Sequence, residues 1–254
     1  MKRRIVLSNS EIKYRLIYKL IAFSIAICFG TDTRAQMHSG KIVYERKTNL
    51  YKKFKDDDVT DWLKESDKMK VDTLELYFND SLSLFKPQDN ELKEYMSWAT
   101  AKNTVYQNFN QNTRLTQKSV WGEKVLIADT LYHRTWKITD SKRNISGYDC
   151  RKAIWQENDS TRIYAWYTDA ISASVGPESF YGLPGAILGL ATEDGGIIYF
   201  AKRAELQEQK PSDLIPPKTK DKIYNPADLR KQLEKSYGKE KWGKAMIKNV
   251  FGYW

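Results

Sequence analysis

The stretch SVGPESFYGLPGAILGL, residues 174–190, combines glycine and proline with a terminal apolar run. Pro184 fixes φ near −65°, and Gly185 can adopt the positive φ that the third position of a type II turn requires. Leu183 precedes proline and is therefore pushed towards an extended conformation. Residues 186–188 then continue as an apolar run typical of a buried strand. The stretch predicts a tight corner that leads into a buried strand.

The glycines of this stretch do not match a nucleotide-binding loop. A phosphate loop of the Walker type needs a lysine and a hydroxyl residue directly after its last glycine, and neither follows Gly182 or Gly185. Both glycines instead let the backbone approach a neighbouring strand closely. We therefore expect no cofactor and assign a structural turn to Gly176, Pro177, Gly182, Leu183, Pro184, Gly185 and Ile187.

Most of the remaining chain consists of short alternating segments joined by polar turns. Residues 40–50 predict a first strand, and residues 73–87 predict a hairpin around Asn79, Asp80 and Ser81. Residues 140–144 are predicted as a turn. Further strands are predicted at NTVYQNF, RLTQKSV, EKVLIAD, YHRTWKIT, YDCRKAIWQ, TRIYAWYT and GIIYFAKRAEL. About ten strands with short links favour a mainly β (α+β) fold: a single antiparallel sheet, strongly curved or half-barrel-like.

The last part of the chain has a helical pattern. Asn225 is a suitable N-cap, and Pro226 occupies a position that the first helical turn tolerates. Leu229 and Leu233 share one face, and Gly238 can end the helix. A second short helix is predicted from about residue 240 to residue 250. The fold is therefore expected to carry a helical tail at residues 222–254.

The first 35 residues have the layout of a secretory signal peptide. A basic lead precedes the mostly apolar residues 20–30, and a small-residue site follows before Gln36. Lys19 keeps the apolar run shorter than the roughly 20 residues of a membrane span, although an uncleaved anchor is the alternative. We expect residues 36–206 to form the β domain and residues 207–221 a proline-containing linker. The predicted location is periplasmic or outer-membrane-associated.

The charge of the chain argues against a nucleic-acid partner. The net charge is +10, but the predicted signal segment carries seven basic and two acidic residues, which leaves 35 basic and 30 acidic residues after cleavage. These are interspersed, whereas a nucleic-acid footprint needs basic residues clustered on one face. We also expect no membrane-embedded segment after signal cleavage.

Few residues are suited to catalysis or metal binding. Cys150 is the cysteine that remains after signal cleavage, and His133 lies far from the mature N-terminus. A thiol enzyme or hydrolase using Cys150 is one alternative, but a buried hydrophobic role is more common for such a residue. The acidic run from Asp56 to Glu65 lacks the glycine and ligand spacing of a calcium loop. The sequence therefore predicts no catalytic or metal site.

One motif order resembles the signature of the GLPGLI family, secreted proteins known chiefly from Bacteroidota. Its elements are a glycine–cysteine–lysine–alanine strand, an alanine–tryptophan–tyrosine strand, a glycine–proline pair and the naming hexapeptide. Ala186 departs from the leucine usual in that hexapeptide. The matching residues are Gly147, Cys150, Lys152, Ala153, Ala165, Trp166, Tyr167, Gly176, Pro177, Gly182, Leu183, Pro184, Gly185 and Ile187.

The resemblance implies a function in the cell envelope rather than a reaction. Members are often encoded beside TonB-dependent receptors, and no activity is established for the family. We therefore expect a non-enzymatic binding or accessory protein whose partner is an outer-membrane receptor or transporter component, a peptide or a small apolar ligand. A structural accessory of a TonB-dependent transporter is the alternative. Candidate contact residues, which could equally pack the sheet, are Trp166, Tyr167, Phe180 and Tyr181.

Three short triplets are similar to the sites at which secreted Bacteroidota proteins are O-glycosylated. Each has an aspartate, a hydroxyl residue and an aliphatic residue. The triplets predict sugars at Thr73, Ser81 and Thr130. Such sugars require surface positions, and surface turns are expected for them.

Overall fold

The computed structural model describes residues 38–55, 58–88, 96–120, 122–158, 161–220 and 222–254. Gln36–Trp254 form one compact unit. The predicted signal peptide at residues 1–35 lies outside the described residues, as do Asp56 and Asp57 of the acidic run. In the described part of the chain, no helix is long and apolar enough to cross a membrane.

The described residues form one large sheet of twelve strands that is not closed. Its spatial order is β12-β6-β5-β4-β3-β2-β1-β11-β10-β9-β8-β7. The strands are β1 Gly40–Asn49, β2 Met69–Phe78, β3 Leu82–Pro87, β4 Thr104–Asn108, β5 Thr113–Val120, β6 Glu123–Thr130, β7 Lys137–Ile145, β8 Tyr148–Asn158, β9 Thr161–Thr168, β10 Ala186–Thr192, β11 Ile197–Glu205 and β12 Ile223–Tyr224.

The sheet is mixed rather than purely antiparallel, which corrects the predicted sheet type. In the spatial order, the eleven strands from β6 at one end to β7 at the other are all antiparallel to their neighbours. The two-residue strand β12 instead pairs in parallel with β6 through Leu126 and Ile127. A strand of two residues carries no readable periodicity, so the sequence pattern gave no signal for it.

Most predicted strands are confirmed, but the strand at residues 132–139 is wrong. Residues 131–136 have no regular structure, and β7 runs instead through the DSKRN segment that was predicted as a turn. The turn comes at Ser146 and Gly147. Because β7 lies at the edge of the sheet and most of its side chains are exposed, its polar residues lack the alternation that marks a half-buried strand.

The predicted corner before β10 is confirmed, with a tighter geometry than a type II turn. The Gly185 nitrogen donates to the carbonyl oxygen of Leu183 at 2.8 Å, so the turn spans three residues around Pro184. Gly185 has φ +140°, and a Cβ there would lie 2.0 Å from the Thr168 carbonyl oxygen. Ala186–Ala191 are all buried in β10.

Two helices close the fold at residues 226–250. Helices α2 Pro226–Tyr237 and α3 Lys241–Val250 follow the predicted pattern, and Asn225 caps α2 by accepting from Ala227 N at 2.9 Å. A four-residue helix, α1 Leu50–Lys53, follows β1. The 3₁₀ helices are Asp58–Trp62, Glu65–Asp67, Ser97–Ala99 and Pro211–Asp213.

The buried side chains form two clusters. The main cluster joins core-facing residues of β1–β4 and β8–β11 with the loop before β10, and Tyr253 and Trp254 pack against it. The second cluster joins β5 and β6 to α2 and α3 through Val120, Ile127, Leu229, Leu233, Ile247 and Val250. The helical tail therefore packs on the sheet at β5 and β6.

Candidate functional site

Strand register places charged side chains on the buried face of the sheet. Arg46 follows Ile42 and Tyr44 at intervals of two along β1, so it points to the same side. Asp72 lies directly opposite Arg46 on β2, and Tyr199 lies directly opposite Arg46 on β11. These three residues are each at most 2 % exposed.

Arg46 and Asp72 form a buried ion pair. The Arg46 Nη2 and Nε atoms lie 2.7 Å and 3.1 Å from Oδ2 of Asp72. Burial alone would lower the pKa of Arg46, but the charges of Tyr199, Asp72 and Glu178 outweigh it and raise that pKa. Lys70 Nζ also lies 3.5 Å from Asp72 Oδ1. Because the pair is buried, removing Asp72 would leave Arg46 with a more distant counter-charge in a dry environment.

Glu178 completes this network from the loop before β10. Its Oε1 accepts from the Tyr199 hydroxyl at 2.8 Å, its Oε2 accepts from Asn103 Nδ2 at 3.1 Å, and Arg46 Nη1 lies 3.9 Å from Oε1. Glu178 is 1 % exposed and has φ +54°, a left-handed conformation that is unusual for glutamate. Burial raises its pKa, against the opposing effect of Arg46.

A cavity of about 210 Å³ lies beside this network. Its floor is one face of β4, β5 and β6, where Val105, Thr116 and Ile127 form a single cross-strand row. Arg114 and Asp129 form the next row. The cover consists of residues on α2, at the end of α3 and just after it. We call this the basic cavity, lined by Val105, Arg114, Thr116, Lys118, Ile127, Asp129, Ser179, Pro226, Arg230, Val250, Phe251, Gly252 and Tyr253.

Lys118 is the buried cation of the basic cavity. It is 9 % exposed, and among the described residues its ammonium group donates to one partner, the Gly252 carbonyl oxygen, at 2.6 Å. Burial lowers its pKa to about 8, while the charge of Glu178 acts in the opposite direction. A lysine held in this way is charged at neutral pH but poorly compensated.

Positive side chains outnumber negative ones in the lining of the basic cavity. Arg114 Nη2 pairs with Asp129 Oδ2 at 2.7 Å, which neutralises one cation. Arg230 covers the Phe251 ring at 4.2 Å, with half of its side chain exposed. Three cations thus face one carboxylate, so the lining is suited to an anion rather than to a cation.

Glu178, Cys150 and His133, the groups that could take part in catalysis, each have other contacts in the structure. Glu178 is not part of the cavity lining, and both of its oxygens accept hydrogen bonds. Cys150 is fully buried, its thiol donates to the Tyr148 carbonyl oxygen at 3.5 Å, and burial raises its pKa to about 11. His133 contacts the Tyr181 hydroxyl at 3.2 Å rather than the thiol.

The four predicted aromatic contact residues occupy different environments. Phe180 and Tyr167 are 0 % and 2 % exposed and belong to the main cluster, so they pack the core. Tyr181 is also buried and contacts Phe109. Trp166 alone of the four is partly exposed, on the opposite face of β9 from Tyr167, against Phe200 and under Arg143 at 4.9 Å.

Side chains of residues 131–136 donate hydrogen bonds to the loop before β10 and so fix its position. Arg134 Nη1 donates to the Ser179 carbonyl oxygen at 2.9 Å, and its guanidinium lies 4.1 Å from the centre of the Phe180 ring. Trp136 Nε1 donates to the Tyr181 carbonyl oxygen at 3.0 Å. These contacts explain why the segment predicted as a strand leaves the sheet, and they fix the loop that carries Glu178.

The motif residues of this loop make close contacts with neighbouring backbone and side chains. A Cβ at Gly176 would lie 2.7 Å from the Phe180 carbonyl oxygen, and Gly182 has φ +96°. Pro177 accepts from Phe180 N at 3.1 Å. Ile187 accepts from the Tyr44 hydroxyl at 2.6 Å.

The predicted modification sites differ in accessibility. Thr130 is exposed at the end of β6, and Ser81 lies half-buried in the hairpin turn. Thr73 lies within β2 rather than on a turn. Within the described residues, no group of three or more His, Cys, Asp or Glu side chains is placed to hold a metal ion.

Sequence reasoning missed Arg46, Asp72, Lys118 and Glu178. The first three carried a usable signal, because each falls in phase with the buried positions of its strand. Glu178 carried none, since an acidic residue after glycine and proline is typical of an exposed turn.

The sequence model of a family described as "Protein of unknown function (Porph_ging)" matches residues 155–189. The match covers the end of β8, all of β9 and the loop that carries Glu178, including the hexapeptide on which the resemblance to the GLPGLI family depends. Membership of the GLPGLI family stays a prediction. A comparison with curated protein sequences finds no match.

Two solved structures of PNGF-II are similar in fold. The structure in space group P21 gives a TM-score of 0.53 at 16 % identity, covering 79 % of this chain and 34 % of that one. The structure in space group C2 gives 0.51 at 17 % identity, covering 83 % and 32 %. The chain thus spans about a third of the length of PNGF-II, and the likeness concerns the fold alone. The chain is similar in part to a family of unknown function and in fold to a third of PNGF-II.

Proposed function

We propose that this chain is an exported, non-enzymatic binding protein of the cell envelope that holds a small ligand in the basic cavity. Residues 1–35 direct export, and the protein acts in the periplasm or at the outer membrane. The observation that carries the proposal is the cavity itself: a space between sheet and tail, lined by polar groups that include Lys118, Arg114 and Asp129. Ligand sites in proteins are commonly such clefts with a few placed polar groups.

A strongly curved sheet supports this function, because it would give the cavity a concave floor. Ser146, in the turn between β7 and β8, donates to the Ala201 carbonyl oxygen on β11 at 2.5 Å. In a flat sheet, β8 and β11 would lie three strand spacings apart, about 14 Å. We infer that the sheet bends over its buried face, as a half-barrel does.

The aromatic residues are weaker candidates for the ligand site than the cavity. Phe180 and Tyr167 lack exposed surface, so a ligand would have to displace the core to reach them. Of the predicted contact residues, only Trp166 offers surface for a receptor or a peptide. The thiol-enzyme alternative is disfavoured by the burial and raised pKa of Cys150.

A second candidate function is that of an accessory to a TonB-dependent transporter. Residues 226–250 carry seven basic and three acidic residues, and exposed lysines such as Lys231 and Lys235 lie on the outer face of α2. This surface could contact an acidic receptor. Replacing both lysines by glutamate should abolish co-purification with such a receptor if this candidate is right, and leave it intact otherwise.

The cavity can be tested by filling it. Thr116 lies at the centre of the cavity floor, and Thr116→Met would occupy the space without changing charge. Thr113→Met is the matched control, because Thr113 is exposed on the same strand. Small molecules that remain bound to protein isolated from envelopes are measured by native mass spectrometry. The proposal expects loss of the bound molecule with T116M alone; equal retention by both variants would refute it.

A further inference from the structure

We propose that the basic cavity binds the anionic group of a small ligand, a carboxylate or a phosphate, through Lys118 and Arg114. This inference rests on the proposed function and adds the chemical class of the ligand. Both side chains project from β5 into the cavity, two residues on either side of Thr116.

Lys118 has unused hydrogen-bonding capacity that points to a ligand. An ammonium group has three donors, and among the described residues one of them is used, by Gly252 at 2.6 Å. The residue is 9 % exposed. Buried charges in proteins are normally paired, so an anion in the cavity would complete an arrangement that the chain leaves open.

Arg114 supplies a second free donor beside it. Its Nη2 atom is committed to Asp129 at 2.7 Å, but its buried Nε atom has no hydrogen-bond partner among the described residues. The guanidinium fork can hold a planar carboxylate or a phosphate through two parallel bonds. An anion placed between Lys118 and Arg114 would satisfy donors on both.

The nearby carboxylates do not already fill this role. Asp129 forms an ion pair with Arg114, and the carboxylate oxygens of Glu178 accept hydrogen bonds from Tyr199 and Asn103. No carboxylate of the described residues lies within 4.0 Å of the Lys118 nitrogen. Arg230 has Glu234 at 3.9 Å along α2, so Lys118 is the cation of the lining that remains for a bound anion.

The size of the cavity limits the ligand to a small one. A volume of about 210 Å³ is roughly seven times the ~30 Å³ that one water molecule occupies in the liquid. Pockets for drug-sized molecules are larger, about 300–1,000 Å³. The cavity therefore suits the anionic end of a ligand and a few further heavy atoms.

Calorimetric titration of the purified full chain tests the chemistry directly. The probes are sodium phosphate, sodium acetate and, as a neutral control for acetate, acetamide, at constant pH 7 and constant ionic strength. Saturable binding of phosphate alone identifies a phosphate ligand, and saturable binding of acetate alone identifies a carboxylate. Either supports the proposal. Absence of binding by both anions overturns it, as does equal binding of acetamide and acetate.

Three variants assign the binding to the cavity. Lys118→Met should weaken anion binding at least tenfold, because a buried charge-assisted hydrogen bond is lost. Lys124→Met is the matched control at an exposed lysine and should leave affinity unchanged. Arg230→Gln, at a half-exposed residue, should weaken binding two- to fivefold, and it serves if Lys118→Met does not fold. Unchanged affinity in both cavity variants would overturn the proposal.

Failure of this inference is distinguishable from failure of the proposed function. If a molecule from the envelope is expelled by T116M but retained by K118M, the cavity is a ligand site and the anion chemistry is wrong. If T116M retains the molecule, the cavity is not the site.

Discussion

The ammonium nitrogen of Lys118 lies 2.6 Å from the carbonyl oxygen of Gly252, so β5 and the segment after α3 meet at a buried cation. The contact joins the sheet to the part of the chain whose Tyr253 and Trp254 rings pack against Phe180. A stable fold does not need a charge at this position, since a methionine would fill the same space.

Lys118→Met should therefore raise stability at neutral pH. The folded pKa of about 8 lies below the ordinary value of 10.5, and each unit corresponds to about 1.4 kcal/mol, so the charged lysine costs about 3 kcal/mol below pH 8. The unfolded chain binds more protons between pH 8 and 10.5, so wild-type stability should gain from this group as pH rises through that window. The variant should lose that gain.

Urea unfolding from pH 6 to pH 10.5 measures both effects, with Lys124→Met as control. A variant that is less stable than the wild type at pH 7, and that keeps the full rise of stability above pH 8, would show that the cation is well compensated.

Asp72→Asn should destabilise the fold by about 3 kcal/mol, because it removes the close partner of a buried arginine. Arg46 would keep only Glu178 at 3.9 Å as a counter-charge. Glu205→Gln is the matched control, since it breaks the exposed ion pair with Arg203 and should cost less than about 1 kcal/mol. Denaturant unfolding compares them, and equal losses would mean that burial of the Arg46–Asp72 pair has no special weight.

Gly185→Ala should be far more damaging than Gly182→Ala. A Cβ at Gly185 would lie 2.0 Å from the Thr168 carbonyl oxygen, whereas at Gly182 the nearest atom is 3.7 Å away. Both glycines have positive φ, so conformational strain of about 1 kcal/mol applies to each. The clash should add more than about 2 kcal/mol at Gly185 alone. Thermal unfolding of the two variants decides this, and similar melting temperatures would contradict the observed corner.

Cys150 should be chemically inert in the folded protein. Burial raises the pKa of its thiol to about 11, so almost no thiolate is present at pH 8. In a Cys28→Ser background, a disulfide reagent should react with Cys150 only after denaturation. Rapid reaction of the folded protein would revive the thiol-enzyme alternative, as would loss of a measurable activity in Cys150→Ala.

The strands that face the core on one side were predictable from sequence. Leu74, Leu76 and Phe78 alternate along β2, and the cap at Asn225 marks α2, because local chemistry decides these elements. β7 was not predictable in place, since an exposed edge strand has no buried side to impose alternation. Arg134 and Trp136 donate hydrogen bonds to the loop before β10. These tertiary contacts, which local sequence does not indicate, keep residues 131–136 out of the sheet.

The basic cavity could not be predicted from local sequence patterns, for a different reason. Its lining joins β4–β6, the loop before β10 and the segment after α3, which are distant in sequence, and only the register brings Arg114 beside Asp129. The phase of the alternation nevertheless identifies candidates: Arg46, Asp72 and Lys118 each occupy a buried position of a strand. A charged residue in phase with a hydrophobic face is the signal that would have found them.

The most direct measurement is the titration of the Lys118 side chain by nuclear magnetic resonance, with and without sodium phosphate or sodium acetate. The titratable and charged groups that share the cavity lining with this ammonium are Arg114 and Asp129 from the sheet, Arg230 from α2 and Tyr253 from the segment after α3. Glu178, outside the lining, also acts on its pKa. The free protein should titrate near pH 8, and a bound anion should raise that pKa because it stabilises the charged form. A Lys118 signal whose pKa does not respond to either anion at saturating concentration would contradict an anion site in the basic cavity.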